Sequence, residues 1–140
     1  MTKKPDWITE KKIVLPDGAS ALWSYDTEGD FLEIFFHEAP ASGTVELAEG
    51  VWLRFDRKDG RPLSLGFTNI TALTQQQEFG PPLLTLTGLK KLPDPDRVLV
   101  LKILRASPVN AILKVYSYEQ KQPARVVPVA SFNYPLPVAI

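Results

Sequence analysis

The stretch Ala21-Leu22-Trp23-Ser24-Tyr25-Asp26-Thr27-Glu28-Gly29-Asp30-Phe31-Leu32-Glu33-Ile34-Phe35-Phe36 decides the fold. Both ends are rich in aromatic and branched side chains, and the five residues Asp26 to Asp30 between them are turn formers. The whole reads as a β-hairpin. Neighbouring side chains on a strand point to opposite faces, so Phe35 and Phe36 cannot share one core, and something must cover the second face. Because domain interiors form from packed layers, the chain's own second half is the first candidate, ahead of a second copy or a hydrophobic ligand.

Working outward, Ile13-Val14-Leu15 runs into the turn triplet Pro16-Asp17-Gly18, which ends a first strand. Val45 to Leu47 and Val51 to Phe55 follow the hairpin. In the latter, Val51, Leu53 and Phe55 alternate with Trp52 and Arg54 at the two-residue period of a strand. Asp59-Gly60 supplies a tight turn, and Leu63, Leu65 and Phe67 resume the alternation on the returning strand. Thr71 is expected to cap a short helix over Ala72 to Phe79. Gly80-Pro81-Pro82 and Leu92-Pro93-Asp94-Pro95-Asp96 bracket a predicted strand from Leu83 to Leu89, with Pro-Asp-Pro as the boundary between two halves.

Val98 to Leu104 is apolar except for Lys102, which predicts a strand covered on both faces, with Lys102 at an edge or in an ion pair. Ala111 to Glu119 and Arg125 to Phe132 are read as further strands. Residues 133–140 are apolar and proline-spaced, hence an extended C-terminal tail that docks on its own body or exchanges with a neighbouring subunit. The expected architecture is a single domain over 1–140, mainly β, with a β-rich α+β arrangement as the alternative. An antiparallel meander packs on a second small sheet drawn from an additional β half at 83–132, with at most one or two short helices.

Composition narrows the chemistry. A chain of 140 residues, 44% hydrophobic, typically buries about two thirds of its unfolded surface and needs no disulfide or metal to fold. No cysteine is present, so thiolate metal cages and cysteine nucleophiles are excluded, and the lone histidine, His37, excludes a multi-histidine centre. Thirteen prolines interrupt the chain too often for long helices. No run approaches the roughly 18 apolar residues of a membrane span, and the start leads into no apolar signal segment. The expected location is the cytoplasm. Formal charge is zero, yet residues 1–70 carry 8 basic and 12 acidic side chains and residues 71–140 carry 8 and 4, so the halves complement each other or steer a partner onto one face.

With Tyr25-Asp26-Thr27-Glu28-Gly29-Asp30 in the hairpin, the chain resembles a small bacterial family, domain of unknown function 2283. That family has Tyr-Asp-x-Glu-x-Asp before an alternating strand, then a Gly-Val strand start and an Asp-x-x-Gly turn. Gly50, Val51, Leu53, Asp56 and Gly60 match the later positions with one extra loop residue, and Asn69-Ile70-Thr71 falls where the pattern closes. The resemblance covers about residues 21–71. It departs in the last strand, where the family's Gly and Glu are replaced by Ser64 and Gly66, so any role of that acid does not carry over. The resemblance implies a compact module of a few strands and a protein-binding role, without an established activity.

Of the catalytic patterns, none is complete. Asp26, Glu28 and Asp30 could hold a hard cation, but a calcium-loop template fails, because its turn glycine would fall on Phe31 and its bidentate glutamate on His37. On the plainer reading, Asp26 and Asp30 accept from turn amides while Glu28 is solvated. Glu33 and Glu46 show no sign of facing a sugar-sized cleft. His37 with Glu38 could serve Ser24 or Ser64, yet no nucleophile elbow exists. Nucleotide-cradling loops are absent, and the basic group Arg54, Arg57, Lys58 and Arg61 is interrupted by Asp56 and Asp59, so no nucleic acid is expected.

These observations predict a noncatalytic, non-enzymatic protein-interaction module, self-associating into a homo-oligomer or meeting a protein partner, with no cofactor, metal or membrane. Its expected binding residues are Trp23, Asp26, Glu28, Asp30, Phe35 and Trp52. Two alternatives stay open: a metal-assisted hydrolase using Asp26, Glu28, Asp30 and His37, and a small apolar-ligand carrier, which requires a closed barrel with an unfilled interior.

Overall fold

Trp23 anchors the core at 1% exposure, facing the same side of the sheet as Tyr25, Leu32 and Ile34. The computed structural model describes residues 6–73, 84–118 and 127–132. Six strands form one antiparallel sheet: β1 (Ile8–Val14), β2 (Ser20–Asp26), β3 (Phe31–Phe35), β4 (Gly43–Ala48), β5 (Val51–Asp56) and β6 (Arg61–Thr68). Their spatial order is β1-β2-β3-β6-β5-β4, two three-stranded meanders joined where β3 pairs with β6. The sheet is open, with β1 and β4 at its edges, so the closed barrel required by the apolar-carrier alternative is not formed.

The second half adds α1 (Ile70–Leu73), β7 (Leu84–Thr85), a 3-10 helix (Thr87–Lys91), α2 (Asp94–Arg105), α3 (Val109–Ile112), β8 (Leu113–Tyr118) and β9 (Val127–Phe132). Strands β7, β9 and β8 make a small antiparallel sheet in that order. The strand-rich architecture with two sheets is therefore as the sequence predicts, with more helix than the one or two short segments expected. One apolar cluster joins the halves: Trp23, Leu32, Leu53, Phe55 and Phe67 from the large sheet meet Leu89, Val100, Leu104, Ile112 and Ala130. The second half thus covers one face of the six-stranded sheet. No helix among the described residues is long and apolar enough to cross a membrane.

Two strand expectations fail. Val98 to Leu104 lies within the twelve-residue helix α2, not a strand, and Pro93-Asp94-Pro95 forms its cap and opening residues. A short apolar run does not distinguish a buried strand from a buried helix, but the flanking residues do. Pro95 occupies the first turn, where no amide hydrogen is needed; Asp94 and Asp96 sit at the positive helix end, and Lys102 and Arg105 at the negative one. Burial follows helical spacing, with Val100, Ile103 and Leu104 inside and Val98 67% exposed. Lys102 is exposed on α2 instead of at a strand edge. Of the strand predicted over Leu83 to Leu89, Leu83 lies outside the described residues and the rest gives the two-residue β7 before the 3-10 helix.

That 3-10 helix sits hard against edge strand β4: a Cβ on Gly88 would lie 1.6 Å from the Glu46 carbonyl oxygen, so only glycine allows the approach. Edge β4 is covered, while edge β1 carries the exposed charges Glu10, Lys11 and Lys12, the usual defence of an open edge. A helical turn is present as α1, but it begins at Ile70, two residues before the predicted Ala72, so Thr71 lies inside it and gives its hydroxyl to Asp30 instead of capping it; the continuation to Phe79 lies outside the described residues, as do Glu119, residues 125–126 and the tail 133–140.

Candidate functional site

Strand alternation places a second set of side chains on the outer face, away from the core. The register aligns Ser24 with Glu33, Glu33 with Gly66, and Gly66 with Trp52; one step along, Leu22, Phe35, Ser64 and Arg54 align across β2, β3, β6 and β5. Two apolar regions result. Phe31 lies over Gly66, whose added Cβ would sit 3.2 Å from the Phe31 ring and 3.9 Å from Trp52 Cβ. At the other end, Leu22, Phe35, Leu63 and Ala39 wall an open cleft of about 350 Å³.

A polar cluster separates the two. Ser64, 1% exposed, donates its hydroxyl to Glu33 Oε2 at 2.8 Å, and Arg54 Nη1 stands 3.6 Å from the same oxygen. A bulge shapes the cleft rim: the pairing slips between Arg54 and Phe55, so that Phe55 faces Pro62 and Leu63 is the extra residue. The Leu63 carbonyl accepts the amides of Phe36 at 2.8 Å and His37 at 3.3 Å, which pins the chain leaving β3 beside the cleft. Ser24, His37, Glu38 and Glu10 complete its lining.

The sequence-predicted residues divide. Phe35 is half-buried on the cleft wall, and Trp52 is 37% exposed on the outer face. Trp23, expected on the binding surface, is instead a core residue whose ring lies 5.8 Å from that of Tyr25 at a tilt of 46°, because its register puts it opposite Ile34 on the inner face. The acidic turn is structural at two of its three carboxylates. Asp26 accepts the amides of Glu28 and Gly29, both at 3.0 Å. Asp30, in the left-handed conformation at φ 51°, accepts the Tyr25 hydroxyl at 2.8 Å, the Thr71 hydroxyl at 2.7 Å and the Thr71 amide at 3.3 Å. Glu28 is exposed.

Burial alone would raise the Asp30 carboxyl pKa, but the Thr71 and Tyr25 hydrogen bonds outweigh it and hold the group below its ordinary value. Burial and the bond to Asp30 push the Tyr25 phenol up. The metal-hydrolase alternative fails on this geometry. Asp26 and Asp30 are turned to different partners, and His37 stands at the far end of β3, about 20 Å along an extended chain from the turn. Among the described residues no group of three His, Asp or Glu side chains converges as metal ligands. Nor is a hydrolytic triad assembled: Ser64 gives its proton to Glu33, with His37 at the rim.

With this geometry in place, comparison with known proteins adds one finding. Residues 23–69 match the family model of DUF2283, a protein of unknown function. The match runs from Trp23 in β2 to Asn69 after β6, so the DUF2283 segment is the five strands β2 to β6 and carries Glu33, Arg54, Ser64, Phe35 and Trp52. Strand β1 and everything from α1 onward lie outside the DUF2283 match. No curated protein and no solved structure matches the chain.

Proposed function

We propose that this protein is a noncatalytic interaction module that self-associates through the outer face of its six-stranded sheet. A single observation carries the reading. Among the described residues the second half packs on the inner face, and Phe31, Phe35 and Trp52 lie on the other around the Glu33–Ser64–Arg54 cluster. Exposed aromatic patches ringed by polar groups mark contact surfaces, and burial of such rings drives association.

The occupant is a second copy. Six strands spaced about 4.8 Å apart, each about 20 Å long, present a face of roughly 500 Å², near the lower end of what one partner buries in a stable complex. The face carries both charge signs, Glu33 and Glu46 with Arg54 and Lys12, so two copies can meet without like-charge repulsion. Edge pairing is the weaker route, since the 3-10 helix covers β4 and charges guard β1. Sedimentation equilibrium should give twice the 15.6 kDa chain mass, and Trp52→Glu should return it to one. A single-chain mass for the wild type at every concentration contradicts the proposal.

A further inference from the structure

The cleft beside Phe35 shares that ring with the proposed self-association surface, and its carboxylates Glu10 and Glu38 give it a chemistry of its own. Its walls are apolar at Leu22, Phe35, Leu63 and Ala39. Glu33 stands at its polar side, bonded to the lining residues Ser64 and Arg54, and Glu10 and Glu38 also line it. Three carboxylates therefore face one guanidinium, and that guanidinium is held by Glu33. Among the described residues neither Glu10 nor Glu38 has an ion-pair partner within 4.0 Å; Lys12 shares an adjoining hollow with Glu38, Leu22 and Phe35, and even with it the three carboxylates outnumber the two cations. A cleft with apolar walls, an accessible aromatic ring and surplus negative charge matches one ligand class, a cationic head on an apolar stem.

We infer that the cleft binds a small organic cation, an alkyl or arylalkyl amine. The stem replaces water against Leu22 and Leu63, and the ammonium takes the field of Glu10 and Glu38 at the mouth with the Phe35 ring beside it. Arg54 contributes by selection: its charge, fixed by Glu33, disfavours a second cation deep in the cleft, so the head group stays at the rim. The volume, about 350 Å³, is at the small end of ligand pockets and suits a single ring with a short arm.

The test uses three isosteric probes, benzylamine, benzyl alcohol and benzoate, titrated into the full chain and followed by backbone amide NMR. Benzylamine should shift the amides of Leu22, Phe35, His37 and Ser64 saturably. Benzyl alcohol should bind about tenfold more weakly, the effect of two partly screened charges a few ångströms away. Benzoate should produce no saturable shift. The double substitution Glu10→Gln and Glu38→Gln, both on the surface, should keep the folded spectrum and weaken benzylamine about tenfold, while Val98→Asp, exposed on α2 and outside the cleft lining, should leave it unchanged. Equal binding of the alcohol or of benzoate, no saturable shift with benzylamine, or an unaltered affinity in the double variant would each overturn the inference.

Discussion

Ser64 donates its hydroxyl to Glu33 across two neighbouring strands at 2.8 Å, with the serine 1% exposed and the carboxylate on the outer face. The bond ties the centre of the sheet where β3 and β6 join the two meanders. Ser64→Ala removes the donor and should lower stability by about 1–2 kcal/mol, the cost of leaving a half-buried carboxylate short of a partner. Urea denaturation of Ser64→Ala, Glu33→Gln and the double variant checks it: the double should cost clearly less than the sum of the singles. Strict additivity would show that the bond contributes nothing.

Asp30 should govern the acid limb of stability. Its carboxyl is held below the ordinary value by Thr71 and Tyr25 against the opposing effect of burial. A lowered native pKa means that the unfolded chain binds the proton more readily, so the contribution is complete above the unfolded value, about 3.9, and disappears as pH falls through the native one. Asp30→Asn tolerates the left-handed backbone, removes the charge and turns one of the two acceptor oxygens into a donor. It should cost about 1–3 kcal/mol at pH 7 and flatten the pH dependence below 4.

Tyr25 should act at the opposite extreme. Its phenol pKa is raised, first by burial and then by the Asp30 bond, so the native state holds the proton more tightly. Its contribution is present below the ordinary value, about 10, and is lost as pH rises through the native one. Tyr25→Phe should flatten the fall in stability above pH 10, followed by thermal melts.

Gly88→Ala should be among the most damaging small changes in the chain. The new methyl group would lie 1.6 Å from the Glu46 carbonyl oxygen, which is backbone and has no rotamer to escape into. Undocking of the 3-10 helix from β4 should cost about 3 kcal/mol or more, while Thr87→Ala, at an exposed neighbour, should stay within about 0.5 kcal/mol. Melting temperatures of the two variants make the comparison.

Helix α2 has a sharp signature of its own. In a strand Val98 and Leu104 would share a face; in the helix Val98 is 67% exposed and Leu104 fully buried. Val98→Asp should therefore be nearly neutral, and Leu104→Ala should cost about 2–5 kcal/mol. Similar costs at both positions would restore the strand.

The first six strands were legible from the turns between apolar runs, Pro16-Asp17-Gly18, Asp26 to Asp30, Gly50 and Asp59-Gly60, whose glycine takes φ 69°, and β5 and β6 also from their two-residue alternation. Helix α2 was missed because Val98 to Leu104 lacks internal polar punctuation apart from Lys102, although Pro95 with its flanking aspartates was a start signal in plain view. Trp23 and Trp52 look alike in sequence, and only the register separates the buried ring from the exposed one. The outer-face cluster was hidden for the same reason. Glu33, Ser64 and Arg54 meet only because β6 inserts between β3 and β5, a long-range pairing that no local pattern encodes. The alternation that placed Leu63, Leu65 and Phe67 on one strand also implied that Ser64 faced the other way, and that was the available signal.

The central claim concerns the outer face, and the most direct measurement is the sedimentation-equilibrium mass across a hundredfold range of concentration for four chains: wild type, Phe35→Glu, Trp52→Glu and Val98→Glu. The account predicts a two-chain mass for wild type and for Val98→Glu, whose exposed side chain lies on α2 away from that face, and a 15.6 kDa chain for the other two. A wild-type chain that stays at 15.6 kDa throughout, or a dimer that both aromatic substitutions leave intact, contradicts it.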